Sequence, residues 1–324
     1  MRIGVACLAV VAAAVLASTL PAGSRDTGLR LLVAANPPFL LEVGSGAVSP
    51  VEGVPELRRG TVSVVAVAGN AGVVVADGGA AADLYALSGR GTKAVRLGMG
   101  THVWPGAGGT VWVQSRAAGS GCRIRQVGLD GRLLRAPRRF PCATGSDPSG
   151  GSLGLVVRRT RVVDPRTRRS VVRARAGILA VAGKSLVLLD AKRLSLLDAA
   201  TGAERQLGWP SELPHVDRPA VDPRGRYVVL AFAQPTGPNA GQALDLWLLD
   251  VRTARLSRLP GMPVFVALKR TSLAWTDDGR LVLLGESGGR DVLALWRPGD
   301  KRFRLKAVEL PARDAGSDSF APLR

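Results

Sequence analysis

Residues 220–230 read Ala-Val-Asp-Pro-Arg-Gly-Arg-Tyr-Val-Val-Leu, and residues 274–284 read Ala-Trp-Thr-Asp-Asp-Gly-Arg-Leu-Val-Leu-Leu. The two segments align without a gap. Each is a strand end, a turn carrying Asp and Gly, and then a run of apolar residues that favour extended backbone. Two copies of one hairpin in one chain indicate a repeat, and the rest of the sequence extends it.

A related hairpin recurs from Leu84 to Leu97 around Ser88-Gly89-Arg90-Gly91, from Ile124 to Leu134 around Asp130-Gly131-Arg132, and from Arg161 to Val172 around Asp164-Pro165-Arg166. Further copies start at Leu194, Leu246 and Val292, and Phe39 to Val54 is the most degenerate one. A second hairpin type fills the intervals, with turns at Gly69-Asn70-Ala71-Gly72, Pro105 to Gly109, Asp147 to Gly150 and Gly183-Lys184. The period of roughly 34 to 52 residues is that of propeller blades. The fold expected is therefore all-β: a β-propeller of four-stranded antiparallel blades, seven in number. The alternative is six blades, with the N-terminal segment completing the last one. A blade has an apolar face toward each neighbour, so only closure of the ring buries them all.

The clearest copies resemble the TolB-like propeller repeat, which is akin to the WD repeat. In that family a strand ending near Trp meets an Asp-Gly turn, a strand, and then a strand of Asp-Leu-Trp type. Asp245-Leu246-Trp247-Leu248-Leu249-Asp250 matches that third strand, and the resemblance is clearest over about residues 219–310. It implies a fold and no catalytic residue, because the matched positions are turn and core positions.

Composition agrees with a strand-rich, core-forming chain: of 324 residues, 46% are hydrophobic, while 40 Gly and 21 Pro punctuate short Val/Leu runs. The formal charge of +19 invites a polyanion or anionic surface as partner. The basic residues are scattered, however, and nucleic acid is disfavoured because the N-terminus reads as an export element. Arg2 precedes an uncharged apolar stretch, residues 3–20, which is a signal peptide or a signal anchor. The expected organisation is residues 1–28 as signal or anchor with a short linker, 29–312 as propeller and 313–324 as a C-terminal tail. The expected location is extracytoplasmic, secreted or membrane-anchored. In that setting Cys122 and Cys142 are expected to form one structural disulfide.

Chemical motifs are sparse. With His102 and His215 alone, a multi-histidine metal site of the common type cannot be built, and no cofactor or metal is expected. Ser211, His215 and Asp217 could supply a triad by residue type, but lie too close along one loop for triad geometry. His102, beside Trp104, reads as packing. Asp130, Asp147, Asp164, Asp222, Asp277, Asp278 and Asp300 fall in turns, where carboxylates bond local backbone. The densest basic run spans Arg158 to Arg175. Successive loops of a blade alternate between faces of the disc, so Arg158 and Arg159 are expected on one face and Arg166, Arg168 and Arg169 on the other.

Two loops are longer than their neighbours, 208–219 and 234–244, and strand alternation puts them on one face. Trp209, His215, Asp217, Gln234, Asn239 and Gln242 are the candidate binding residues there, with Trp209 as the anchor. The functional reading is a non-catalytic binding or scaffold module for an unknown protein or cell-envelope ligand. Its rivals are an extracytoplasmic hydrolase or lyase acting on carbohydrate or peptide, and a basic module that associates with anionic lipid or wall polymer.

Overall fold

The computed structural model describes residues 28–67, 70–79, 81–117, 121–143, 156–216, 219–235, 242–260, 266–267, 272–287, 290–311 and 319–324. The apolar segment at residues 3–20 and the Asp147–Gly150 turn lie outside these residues, as do Asp217 and Asn239.

Seven antiparallel sheets are formed among the described residues, one per blade. The first blade holds β1 (Arg30–Val33), β2 (Phe39–Glu42) and β3 (Val48–Pro50). The second holds β4 (Thr61–Val67), β5 (Ala71–Asp77), β6 (Ala82–Ser88) and β7 (Val95–Gly100). The third holds β8 (His102–Pro105), β9 (Thr110–Arg116), β10 (Cys122–Gly128) and β11 (Leu133–Phe140). The fourth shows β12 (Val156–Arg158), β13 (Arg161–Val163) and β14 (Ser170–Arg173). The fifth runs β15 (Gly177–Ala182), β16 (Ser185–Asp190), β17 (Arg193–Asp198) and β18 (Glu204–Gln206).

In the sixth blade β19 (His215–Val216) and β20 (Ala220–Val221) both pair with β21 (Tyr227–Pro235). Outward from it come β22 (Gln242–Asp250), β23 (Arg255–Arg258) and β24 (Val266–Ala267). The seventh blade is β25 (Ser272–Trp275), β26 (Leu281–Ser287), β27 (Arg290–Trp296) and β28 (Arg304–Ala307). The strand latest in sequence, β29 (Phe320–Leu323), pairs with β1 from Val33↔Phe320 to Arg30↔Leu323.

Closure therefore runs opposite to the six-bladed alternative. The N-terminal strands form a blade of their own, and a strand from the segment expected to be a tail completes it. Apolar cores explain why. Seven clusters of buried side chains sit one at each blade interface, including Leu32, Val64, Val74 and Ala321 between blades one and two, and Leu31, Leu41, Leu284 and Leu293 between blades one and seven. Middle strands are buried on both faces, as in β5, whereas outer strands such as β3, β11 and β18 are largely exposed. Packing at the closure is tight enough to require glycine: a Cβ on Gly72 would stand 2.8 Å from the Ala321 Cβ and 2.9 Å from Leu32 Cδ2.

The interface between blades three and four is the thinnest among the described residues. Its buried members are Trp104, Trp112, Ile124, Phe140 and Val156.

Candidate functional site

That thin interface opens into a cleft. Cys122 begins β10 and lies opposite Phe140 at the end of β11. Cys142, two residues beyond Phe140, is thereby brought back to Cys122, and the two sulfurs are bonded with a Cα–Cα separation of 5.1 Å. The disulfide pins the rim of blade three at the point where it faces blade four. Between them lies a cleft of about 1310 Å³ walled by β10 and β11 on one side and by β13 with its flanking turns on the other.

Among the described residues, five arginines line the cleft: Arg123, Arg139, Arg159, Arg161 and Arg168. The turns carrying Arg159 and Arg168 do lie at opposite ends of β13, yet both arginines border one cavity. β13 is three residues long, about 10 Å at the usual strand rise, and an arginine side chain is long enough to reach the same concavity from either end. Among the described residues, Arg123, Arg139, Arg161 and Arg168 have no carboxylate partner.

The register makes this arrangement costly to the fold. Arg123 lies directly opposite Arg139, and Arg161 lies directly opposite Arg173 in blade four. Like charges placed directly opposite on neighbouring strands destabilise a sheet. Phe140, Pro141, Val163 and the disulfide add an apolar surface to the same wall.

The loop face is built differently. His215↔Ala233 and Pro235↔Gln242 place the 208–214 segment and the β21–β22 connection at one end of blade six. The strands run further than the sequence suggests, so Gln234 pairs with Ala243 and Pro235 with Gln242 inside the ladder. Trp209 is half-buried. Its ring meets Phe232 edge-on at 5.0 Å, and its Nε1 donates to the Leu213 carbonyl at 3.0 Å. Ser211 Oγ donates to Asp245 Oδ2 at 2.8 Å, and that carboxylate also receives Trp247 Nε1 and Arg258 Nε. The hydroxyl that a triad would need as nucleophile is thus engaged by Asp245, while His215 is exposed on β19.

His102 packs against Trp104, with ring centroids 4.2 Å apart. The turn aspartates bond local backbone, as at Arg132 N to Asp130, Arg166 N to Asp164 and Tyr227 N to Asp222. Burial by itself would raise the Asp164 carboxyl, but the hydrogen bonds and charge of Arg166 hold it below the usual range. Among the described residues no three His, Cys, Asp or Glu side chains gather in a way that could hold a metal ion. The arginine cleft was missed in sequence because its members come from two blades. The only local signal was the density of arginine between 158 and 175.

With the blade topology in hand, comparison with solved structures finds chains similar over nearly all of this one. A candidate 6-phosphogluconolactonase from Bacteroides fragilis is similar over 93% of this chain and 99% of its own, with a TM-score of 0.55 and 12% identity. A protein from Lactobacillus plantarum is similar over 92% and 99%, at 0.53 and 11%. The fold is that of a seven-bladed β-propeller. TolB from Acinetobacter baumannii is also among the similar structures, over 93% of this chain and 67% of its own, at 0.49 and 14%. At these identities the likeness is one of fold and brings no activity with it. No protein-family model matches the chain, and no curated protein does.

Proposed function

We propose that this protein is an extracytoplasmic, non-catalytic propeller that acts as a binding or scaffold module for a cell-envelope ligand, seated in the cleft between blades three and four. The observation that carries this reading is the cleft itself: about 1310 Å³, open between two blades and pinned by a disulfide. Binding sites favour such concavities on rigid frameworks. A structural disulfide and the apolar stretch at residues 3–20 both favour an oxidising compartment outside the cytoplasm. The test is fractionation of cells expressing the full chain, followed by retention of envelope components on wild-type protein and on Ser170→Trp, which fills the cleft at an exposed position. Loss of retention in the variant is the expected result. A cytosolic location, or equal retention by both proteins, overturns the reading.

A second reading puts a protein partner on the loop face of blade six, favoured by the register that brings its two connections to one end. Trp209, His215, Asp217, Gln234, Asn239 and Gln242 are its candidate contacts. A partner whose capture is lost on His215→Ala and kept on Ser170→Trp selects this surface over the cleft.

A further inference from the structure

We infer that the cleft between blades three and four binds a phosphodiester chain, gripping successive phosphates through Arg123 and Arg139 on one wall and Arg159, Arg161 and Arg168 on the other. This rests on the cleft being the ligand seat proposed above and names the chemistry of what sits there.

Three observations converge on it. The first is charge: the fourteen described residues that line the cleft include five arginines and no Asp or Glu, and Arg123, Arg139, Arg161 and Arg168 have no carboxylate partner among the described residues. The second is register. Arg123 opposite Arg139, and Arg161 opposite Arg173, are pairings that destabilise a sheet unless something offsets the repulsion. An anion lying between the rows would do so, with each guanidinium offering a planar fork that matches two phosphate oxygens. The third is size. A cleft of about 1310 Å³ exceeds the roughly 300 to 1,000 Å³ of ordinary small-ligand pockets. A single phosphate would leave most of it empty, whereas a chain with repeating phosphates could meet both walls. Phe140, Pro141 and Val163 then face the carbon segments between phosphates.

The register also supplies a test that separates binding from folding. Arg139→Glu places a carboxylate opposite Arg123, and Arg161→Glu places one opposite Arg173. Both changes turn a repulsive pair into an attractive one, so melting temperature should hold or rise while binding falls. Arg304→Glu, on the exposed outer strand of blade seven, makes the same change in net charge far from the cleft and serves as control. The probe is a soluble glycerol-phosphate oligomer, measured by calorimetry at two salt concentrations. Parallel arms use inorganic phosphate and vesicles with and without phosphatidylglycerol.

Wild type and Arg304→Glu are expected to bind the oligomer alike, more weakly at higher salt, and each cleft variant to lose about tenfold or more. Equal losses in all three variants would mean that only the overall charge acts, which overturns the inference. So would inorganic phosphate binding as tightly as the oligomer, or vesicles binding where the oligomer does not. If Ser170→Trp abolishes envelope retention but the oligomer does not compete for it, this inference fails while the cleft remains the ligand seat. If Ser170→Trp retains the envelope component, the seat itself is wrong.

Discussion

Arg324 donates a 2.6 Å hydrogen bond from Nη2 to Oδ2 of Asp278, joining the strand that completes blade one to a turn of blade seven. The same carboxylate receives Arg297 Nη2 at 2.7 Å and lies 3.1 Å from Nε of Arg280, whose side chain is buried. On the other side, the Asn70 side-chain amide bonds the backbone N–H and carbonyl of Arg324, reaching into blade two. One residue thus ties blade one to both of its neighbours.

Asp278 should therefore contribute to ring closure in a pH-dependent way. Burial alone would raise its carboxyl, but hydrogen bonds from Thr276 and Arg280 and the charges of Arg280 and Arg324 lower it from 3.8 to about 2. A depressed carboxylate stabilises fully above its ordinary value, and the benefit is lost as pH falls through the folded value. Asp278→Asn is expected to cost about 1 kcal/mol at pH 7, allowing for solvent screening, with the deficit shrinking between about pH 4 and pH 2. Urea midpoints of both proteins across that range check it; a deficit independent of pH would assign the effect to packing.

The two aligned hairpins give a matched pair of glycine substitutions. Gly225 and Gly279 occupy the same turn position with φ of 67° and 78°. A Cβ on Gly225 would stand 2.3 Å from the backbone N of Gly183 in blade five, whereas one on Gly279 meets nothing within 4 Å. Gly279→Ala should cost about 1 kcal/mol, the left-handed backbone penalty. Gly225→Ala should cost about 3 kcal/mol or more, because backbone must also move. Similar melting temperatures for the two variants would refute the close approach of blades five and six.

Trp209→Ala is expected to lower stability by about 2 to 4 kcal/mol, since the ring packs on fully buried Phe232 and its indole N–H is bonded to Leu213. An unchanged melting temperature, with a partner lost, would instead make Trp209 a contact residue.

Replacing Cys122 and Cys142 by serine opens a link across 20 residues and should cost about 3 kcal/mol if the bridge acts by restricting the unfolded chain. Denaturation with and without reductant checks it. A variant as stable as the oxidised wild type would mean that the thin interface of blades three and four stands without the bridge.

Much of the fold could be read from the chain because blades are local objects. Ala220–Leu230 and Ala274–Leu284 each carry their strand, turn and strand within eleven residues, and the Cys122–Cys142 pair needed only an oxidising compartment. Closure was not legible in this way. Phe320–Leu323 is four residues long and finds its partner at Arg30–Val33, a pairing that no local pattern encodes. The arginine cleft was hidden for a related reason: which residues share a cavity depended on the length of β13 and on how closely two blades approach. At Trp209, loop position was visible in the sequence, but the tilt of the ring onto Phe232 was set by packing across the blade.

The pairing of β29 with β1 also governs the order in which the molecule can be finished. β1 leaves the ribosome among the first described residues, with Leu31, Leu32 and Val33 fully buried in the closed ring, yet its edge is covered only when residues 320–323 arrive. Until then an apolar strand presents an open ladder to any passing extended segment, a hazard for misassembly and aggregation. A nascent chain stalled before residue 320 should for this reason be a strong client for holding chaperones, and translocation in an unfolded state would defer the hazard until both strands are present on the same side of the membrane.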